Sequence, residues 1–223
     1  MPQSTPSAML VVFELDGTLV DSRLDLAEST NEMLESFGAR PLPVDAVAGM
    51  VGEGAMKLVV RALQAAGVDA RADAALDRFR TIYDRRLLIH TKPYDGVVDV
   101  VRAAAGRARL AVLTNKPEAP ARRLLEAFGL APHFTWVIGG DSAFPRKPDP
   151  AAIRHLMAEA GAGPAATLLV GDSMIDVETA RRAGVRMCVA LYGFGRLRGE
   201  LELDGAEMLA ERPVDIAQAI DQM

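Results

Sequence analysis

The chain has 223 residues, half of them hydrophobic, and a formal net charge of −5. This length allows one large domain or a domain with an insertion, and no apolar stretch approaches the roughly 20 residues needed to span a bilayer, so no membrane partner is expected. The acidic balance argues against nucleic acid as a partner, and the single cysteine, Cys188, excludes an intrachain disulfide.

The chain begins with a short uncharged stretch, residues 1–8, which has neither the basic start nor the apolar centre of a signal peptide. We therefore expect a cytoplasmic protein. The apolar run at 9–12 then predicts a strand that leads into the letters FELDGTLVDS at 13–22. Residues i and i+2 of an extended chain point the same way, so Glu14 and Asp16 can reach one reaction centre beyond the end of this strand. One carboxylate can attack a substrate while the other handles a proton.

Helical periodicity replaces the strand pattern from about residue 21 to residue 92. Apolar residues recur at helical spacing from Leu26 to Phe37, ahead of Gly38, which is typical of a helix with a glycine C-cap. An amphipathic helix is predicted over 55–66 and another over 76–87, with apolar residues three and four positions apart. The whole stretch therefore predicts an all-helical block.

From residue 93 onward, short apolar runs alternate with helical patterns. The predicted strands cover 110–113, 136–138, 168–170 and 187–191. Such alternation is typical of βαβ units in a parallel sheet, whose ligands bind at the carboxyl ends of the strands. The first strand precedes the helical block and its partners follow it, so the block is predicted to be an insertion. The predicted domains are an α/β core, 1–20 plus 93–223, and a helical domain, 21–92.

Polar residues suited to phosphate or a metal follow the predicted strands of the core. Thr114 and Asn115 offer a hydroxyl and an amide that can donate to a phosphate oxygen. Lys147, in the letters RKPDP before a predicted helix, is suited to hold a phosphate and the attacking carboxylate together. Asp172 follows a further strand and Asp176 comes four residues later, and hard oxygen ligands of this kind suit Mg²⁺.

These four motifs, in this order and with an insertion after the first, resemble the haloacid dehalogenase-like hydrolases, and within them the phosphoglycolate phosphatases. The first motif of that family reads DxDGTLxDS, so Glu14 stands where the family has its nucleophilic aspartate. The resemblance implies an α/β fold, a doubly wound parallel sheet (a Rossmann-like core) with an inserted all-helical cap domain. It further implies phosphomonoester hydrolysis through a carboxylate nucleophile and an acyl-phosphate intermediate.

The same resemblance implies the cofactor Mg²⁺, a small phosphorylated metabolite as partner, and roles for particular residues; it does not predict an oligomeric state. The implied catalytic residues are Glu14, Asp16 and Lys147. The implied metal ligands are the Glu14 carboxylate, the Asp16 main-chain carbonyl, Asp172 and, nearby or through water, Asp176. The implied phosphate- and substrate-binding residues are Thr114, Asn115, Lys147, Gly17, Gly52 and Gly54, the last two in the glycine-rich loop of the cap.

The departure at Glu14 bears directly on activity. Glutamate adds one methylene, about 1.5 Å of chain, and a 1 Å misplacement in a catalytic site can cost roughly 10²-fold in rate. We therefore expect much reduced turnover, with metal and phosphate binding partly kept. Two alternatives remain open: a catalytically silent protein that binds phosphate and metal, which Glu14 favours, and a sugar-phosphate mutase on the same core.

Overall fold

The computed structural model describes residues 8–198 and 201–223, so most of the N-terminal stretch used to predict a cytoplasmic location lies outside the described residues. The strands are β1 Leu10–Phe13, β2 Val20–Asp21, β3 Lys92–Pro93, β4 Arg109–Leu113, β5 Trp136–Ile138, β6 Thr167–Gly171, β7 Arg186–Ala190 and β8 Met208–Ala210. The α-helices are α1 Arg23–Glu35, α2 Val44–Ala48, α3 Ala55–Ala65, α4 Ala72–Arg86, α5 Val97–Ala105, α6 Glu118–Ala127, α7 Ala151–Ala160, α8 Met174–Ala183 and α9 Asp215–Asp221. Within the described ranges, none of these helices is both long and apolar enough to cross a membrane.

Six strands form the main sheet, in the order β5-β4-β1-β6-β7-β8, and every neighbouring pair is parallel. The first strand of the chain lies near the centre, where Phe13 is opposite Val112 of β4 and Val170 of β6. Chain order reverses at this strand, so the carboxyl ends of β1, β4 and β6 meet at the point where parallel sheets bind ligands. The predicted fold class is confirmed; the short edge strand β8 was not predicted.

Both faces of the sheet are covered by helices, which explains why the strands are continuous apolar runs rather than alternating ones. In β1, Val11 and Phe13 join the core cluster shared with α5, α6 and α9, while Leu10 and Val12 join the cluster shared with α7 and α8. All four side chains of this strand are fully buried. The sheet is therefore a buried central layer, and polar residues follow its inner strands at their carboxyl ends.

The helical segment α1 to α4 is connected to the sheet through a small second sheet. Strands β2 and β3 pair antiparallel, with Val20 opposite Pro93 and Asp21 opposite Lys92. The predicted helices at 55–66 and 76–87 correspond to α3 and α4, whereas the short helix α2 was not predicted. Entry to and exit from the segment thus lie side by side, as an insertion requires; the domain boundaries themselves stay a prediction.

The end of the helical segment is fastened to its beginning by one buried carboxylate. Asp25 of α1 accepts hydrogen bonds from the main-chain nitrogens of His90 (3.0 Å) and Thr91 (2.7 Å) and from the Thr91 hydroxyl (2.7 Å). A buried carboxylate is tolerated only when it is hydrogen-bonded in this way. Asp25 therefore fixes the chain just before β3, at the junction with the core.

Candidate active site

The carboxyl ends of β1, β4 and β6 form the floor of a cavity of about 380 Å³. Glu14, Thr114 and Asp172 each follow one of these strands directly. The Glu14 main-chain nitrogen donates to the carbonyl of Val170 at 2.8 Å, which fixes the point where the chain leaves β1. Residues of α1, α3 and α4 line the opposite wall, so the cavity lies between the strand ends and the helical segment.

Glu14 is held by two of the residues that the sequence singled out. Its carboxylate accepts a hydrogen bond from the Thr114 hydroxyl at 2.8 Å and forms an ion pair with the ammonium of Lys147. Burial raises the pKa of Glu14, against the opposing attraction of Lys147. The carboxylate of Glu14 thus binds a hydroxyl and an ammonium, two groups that are suited to bind an anion.

Lys147 lies in the loop before α7 and is almost fully buried, with its ammonium between two carboxylates. Its second partner is Asp176, at 2.6 Å. Burial opposes the charged form of Lys147, but Asp176 and Glu14 more than offset it and raise the pKa of the ammonium. The site therefore holds a positive charge at a fixed point beside Glu14.

Asn115 fixes the main chain at Lys147. Its side-chain oxygen accepts from the Lys147 nitrogen at 3.0 Å, and its amide nitrogen donates to the Lys147 carbonyl at 3.0 Å and to the Gly52 carbonyl at 2.8 Å. The two N–H groups thus meet carbonyls, whereas the sequence predicts Asn115 as a donor to phosphate. Asn115 therefore has the geometry of a positioning residue. It connects the glycine-rich loop, which includes Gly52 and Gly54, to the carboxyl end of β4.

Asp16 accepts hydrogen bonds from two side chains, and sequence reasoning missed one of them, Lys116, together with its further partner Tyr83. It accepts from the Ser22 hydroxyl at 2.6 Å and from the Lys116 ammonium at 3.1 and 3.2 Å. Lys116 in turn donates to the hydroxyl of Tyr83, on α4, at 2.6 Å. Lys116 had a usable signal, since it follows Thr114 by two residues at the same strand end; Tyr83 had none, because only the packing of α4 brings it there.

Asp172 is packed closely among glycines. The Gly195 nitrogen donates to its carboxylate at 2.7 Å, and a Cβ on Gly17 would lie 2.0 Å from a carboxylate oxygen. Gly17 also has a φ of +90°, a conformation that favours glycine. Sequence reasoning expects Gly17 to contact the substrate or its phosphate; the structure gives it a contact with Asp172, whose position it helps to define.

Asp176 lies in the first turn of helix α8 and forms a capping box with Ser173. One of its oxygens accepts from the Ser173 hydroxyl at 2.6 Å and from the Ser173 nitrogen at 3.2 Å, and the other accepts from Lys147. Its role as a metal ligand stays a prediction. The contacts that the structure shows are those of a residue that holds Lys147 and the start of the helix.

The oxygen ligands at the carboxyl ends of these strands fit a divalent cation. Glu14 and Asp172 offer carboxylates and Asp16 offers a main-chain carbonyl, the hard oxygen ligands that Mg²⁺ prefers. In the described part of the chain, one group of three side chains has possible ligand atoms within 4.8 Å of one another. This group, Asp25, Glu28 and His90, lies outside the cavity. Glu14 is directed at Thr114 and Lys147 instead.

The chain is similar to several known proteins over most of its length. A phosphoglycolate phosphatase of Rhodospirillum rubrum is 45% identical over 195 residues, which cover 83% of this chain and 80% of that protein. Phosphoglycolate phosphatase 1 of Pseudomonas aeruginosa is 39% identical over 220 residues, 96% of this chain and 80% of its own. The crystal structure of a predicted phosphoglycolate phosphatase from Haemophilus somnus superimposes with a TM-score of 0.88 at 29% identity, covering 97% of this chain and 99% of that one. The family model described as "Haloacid dehalogenase-like hydrolase" matches residues 11–190, and the chain therefore belongs to the haloacid dehalogenase-like hydrolases.

Proposed function

We propose that this chain is a Mg²⁺-dependent phosphomonoester hydrolase that acts on a small phosphorylated acid of the phosphoglycolate type. One observation carries the proposal: Thr114 and Lys147 both bind Glu14, two residues from Asp16, on the floor of a cavity of about 380 Å³. The substrate class is supported by the relatives named phosphoglycolate phosphatase. The helical segment 21–92 acts as the cap that covers this cavity.

The first step is the transfer of the phosphoryl group to Glu14. A Glu14 oxygen forms a bond to phosphorus in line with the ester oxygen, the bond between phosphorus and that oxygen breaks, and Asp16 passes a proton to the departing alcohol. Lys147 and Thr114, which lie on Glu14, neutralise the charge that spreads over the phosphoryl oxygens.

The second step frees the phosphate. A water molecule gives its proton to Asp16 while its oxygen attacks phosphorus, and the bond between phosphorus and Glu14 breaks. Asp16 is suited to both proton transfers because Ser22 and Lys116 hold its carboxylate in one orientation.

Mg²⁺ would be held by the Glu14 and Asp172 carboxylates and the Asp16 main-chain carbonyl. When bound, the ion supplies positive charge that stabilises the transferring phosphoryl group. Gly195 and Gly17 keep the Asp172 carboxylate at the strand end. Asp176 contributes mainly by holding Lys147, with which it forms an ion pair of 2.6 Å.

Glutamate at position 14 slows the reaction. The Glu14 carboxylate occupies Thr114 and Lys147, the donors that the phosphoryl group itself needs. A displacement of about 1.5 Å is expected to cost on the order of 10²-fold in rate, or ~2.7 kcal/mol of transition-state stabilisation.

The test measures phosphate release from 2-phosphoglycolate and from p-nitrophenyl phosphate, with and without Mg²⁺. The proteins are the chain itself, Glu14→Asp, and Glu14→Gln as the matched control that keeps the length of the side chain and removes the nucleophile. We expect Mg²⁺-dependent turnover that rises about 10²-fold in Glu14→Asp and is absent in Glu14→Gln. Equal rates for the chain and Glu14→Asp would refute the geometric reasoning, and no release by either would refute the hydrolase.

A second candidate, a catalytically silent phosphate-binding protein, is favoured by the same contact of Glu14 with Thr114 and Lys147. It predicts that the chain binds phosphate in the presence of Mg²⁺ but releases none from either ester, while Glu14→Asp turns over. Calorimetric titration with inorganic phosphate beside the activity assay separates the two candidates.

A further inference from the structure

We infer that Lys116, held in place by Tyr83, selects substrates that carry a carboxylate or another anionic group on the carbon next to the phosphoester oxygen. The inference rests on the proposed function, because it takes Asp16 as the group that meets the ester oxygen. It goes beyond that function in naming the residue that recognises the leaving group and the chemistry that this residue requires.

The ammonium of Lys116 is fixed at one point of the cavity. Its side chain is only 4% exposed, and Nζ lies 3.1 Å from Asp16 and 2.6 Å from the hydroxyl of Tyr83. The same nitrogen lies 4.6 Å from the centre of the Tyr83 ring, in the range of a cation–π contact. Asp16, which follows β1, and Tyr83, on α4, thus hold this buried charge together.

The ammonium of Lys116 lies near the place that the leaving group must occupy. The ester oxygen must come within about 3 Å of Asp16 to receive its proton. Lys116 lies 3.1 Å from the same carboxylate, so it lies within about 6 Å of the ester oxygen. A carboxylate on the adjacent carbon extends about 3 Å from that oxygen and therefore comes within reach of the ammonium. An ammonium has three N–H donors, and here they meet both carboxylate oxygens of Asp16 and the Tyr83 hydroxyl. A substrate carboxylate therefore replaces one of the two Asp16 contacts.

The other cations that line the cavity are less suited to this task. Lys147 is enclosed by Glu14 and Asp176. Arg80 of α4 has a side chain that is 59% exposed, with Asp77 at 3.7 Å as its partner. The remaining wall on the cap side is largely apolar, with residues such as Leu26, Val51, Leu58 and Phe79. A small anionic leaving group therefore finds its best partner at Lys116.

Tyr83 supplies the positioning. Its ring stacks on Phe79 of the same helix, with ring centroids 5.5 Å apart, which fixes the phenol in one orientation. Burial raises the pKa of Tyr83 to about 12, so the phenol is neutral and does not cancel the charge that it positions. Removal of the hydroxyl leaves the ring contact with Lys116 and takes away only the hydrogen bond.

The experiment compares kcat/KM for 2-phosphoglycolate with kcat/KM for ethyl phosphate, an ester of similar size without the carboxylate. It is run in the Glu14→Asp background, so that a slow parent does not limit it, on Lys116→Met, Tyr83→Phe and Arg80→Met. We expect Lys116→Met to lower the ratio of the two values about 10- to 100-fold, and Tyr83→Phe to lower it by a smaller factor of about 3. Equal losses for both esters in Lys116→Met, or a larger change of the ratio in Arg80→Met, would overturn the inference.

Failure of the proposed function is recognised separately. If none of these proteins hydrolyses either ester, the hydrolase is refuted, and binding then decides the inference. Calorimetric titration of the same proteins with 2-phosphoglycolate and with ethyl phosphate, without Mg²⁺, gives the ratio of two dissociation constants. A ratio that Lys116→Met leaves unchanged would overturn the selection by Lys116 whatever the chemistry of the site.

Discussion

Replacement of Gly17 by alanine measures how tightly Asp172 is held at the strand edge. A Cβ at this position would lie 2.0 Å from one carboxylate oxygen of Asp172 and 2.6 Å from its Cγ, far inside normal contact. The carboxylate has little room to move, since it accepts a hydrogen bond from Gly195, and a Cβ on Gly193 would lie 2.4 Å from the Cβ of Asp172. Either Asp172 or the loop that carries Gly17 must shift.

The expected loss of stability has two parts. The φ of +90° at Gly17 costs an alanine about 1 to 2 kcal/mol. Overpacking against Asp172 costs a further 1 to 3 kcal/mol or so, which gives a total of about 2 to 5 kcal/mol. Gly38→Ala is the matched control, because Gly38 has a similar φ of +79° and nothing lies within 4 Å of its Cβ position. The control carries the first part alone.

Urea unfolding of the two variants gives the difference directly, and we expect Gly17→Ala to lose about 1 to 3 kcal/mol more than Gly38→Ala. A calorimetric titration with Mg²⁺ adds a functional reading, since a displaced Asp172 should bind the ion at least about tenfold more weakly. If Gly17→Ala loses no more stability than Gly38→Ala, the close packing around Asp172 is wrong.

Two further predictions concern stability. Asp25→Ala leaves the buried donors of Thr91 without their acceptor, so the free energy of unfolding measured in urea should fall by about 2 to 4 kcal/mol. The control Asp45→Ala, at an exposed position, should lose less than about 0.5 kcal/mol. A loss under about 1 kcal/mol for Asp25→Ala would contradict this role. Burial raises the pKa of Cys188 from 9.0 to about 12, so the folded state keeps a proton that the unfolded chain loses, and the free energy of unfolding should fall as pH rises between these values. Cys188→Ala should remove this part of the pH dependence, and iodoacetamide at about pH 8.5 should label the native thiol far more slowly than the urea-unfolded one; equal labelling rates would refute the burial effect.

The sequence predicted the elements whose information is local. The apolar run before Glu14 and the later runs at 110–113 and 168–170 predict strands, and their order around a helical block predicts a parallel core with an insertion, because periodicity and chain order are written in neighbouring residues. The positions of Thr114 and Asp172 at strand ends follow from the same local signal. The structure shows these strands in the predicted parallel sheet.

Only the tertiary structure decided which side chains meet. Glu14 and Thr114 are 100 residues apart in sequence, and Tyr83 reaches Lys116 across 33, so no local pattern connects them. Asn115 accepts a hydrogen bond from the Lys147 main chain, 32 residues away in sequence. This bond likewise depends on how the loop before α7 packs against the carboxyl end of β4. The three-residue strand β8 is too short for a periodic signal and forms only because β7 offers it an edge. The sequence by itself determined the class of fold and the chemistry carried to the strand ends, and long-range packing determined the partner of each group, since that choice depends on contacts that no stretch of sequence contains.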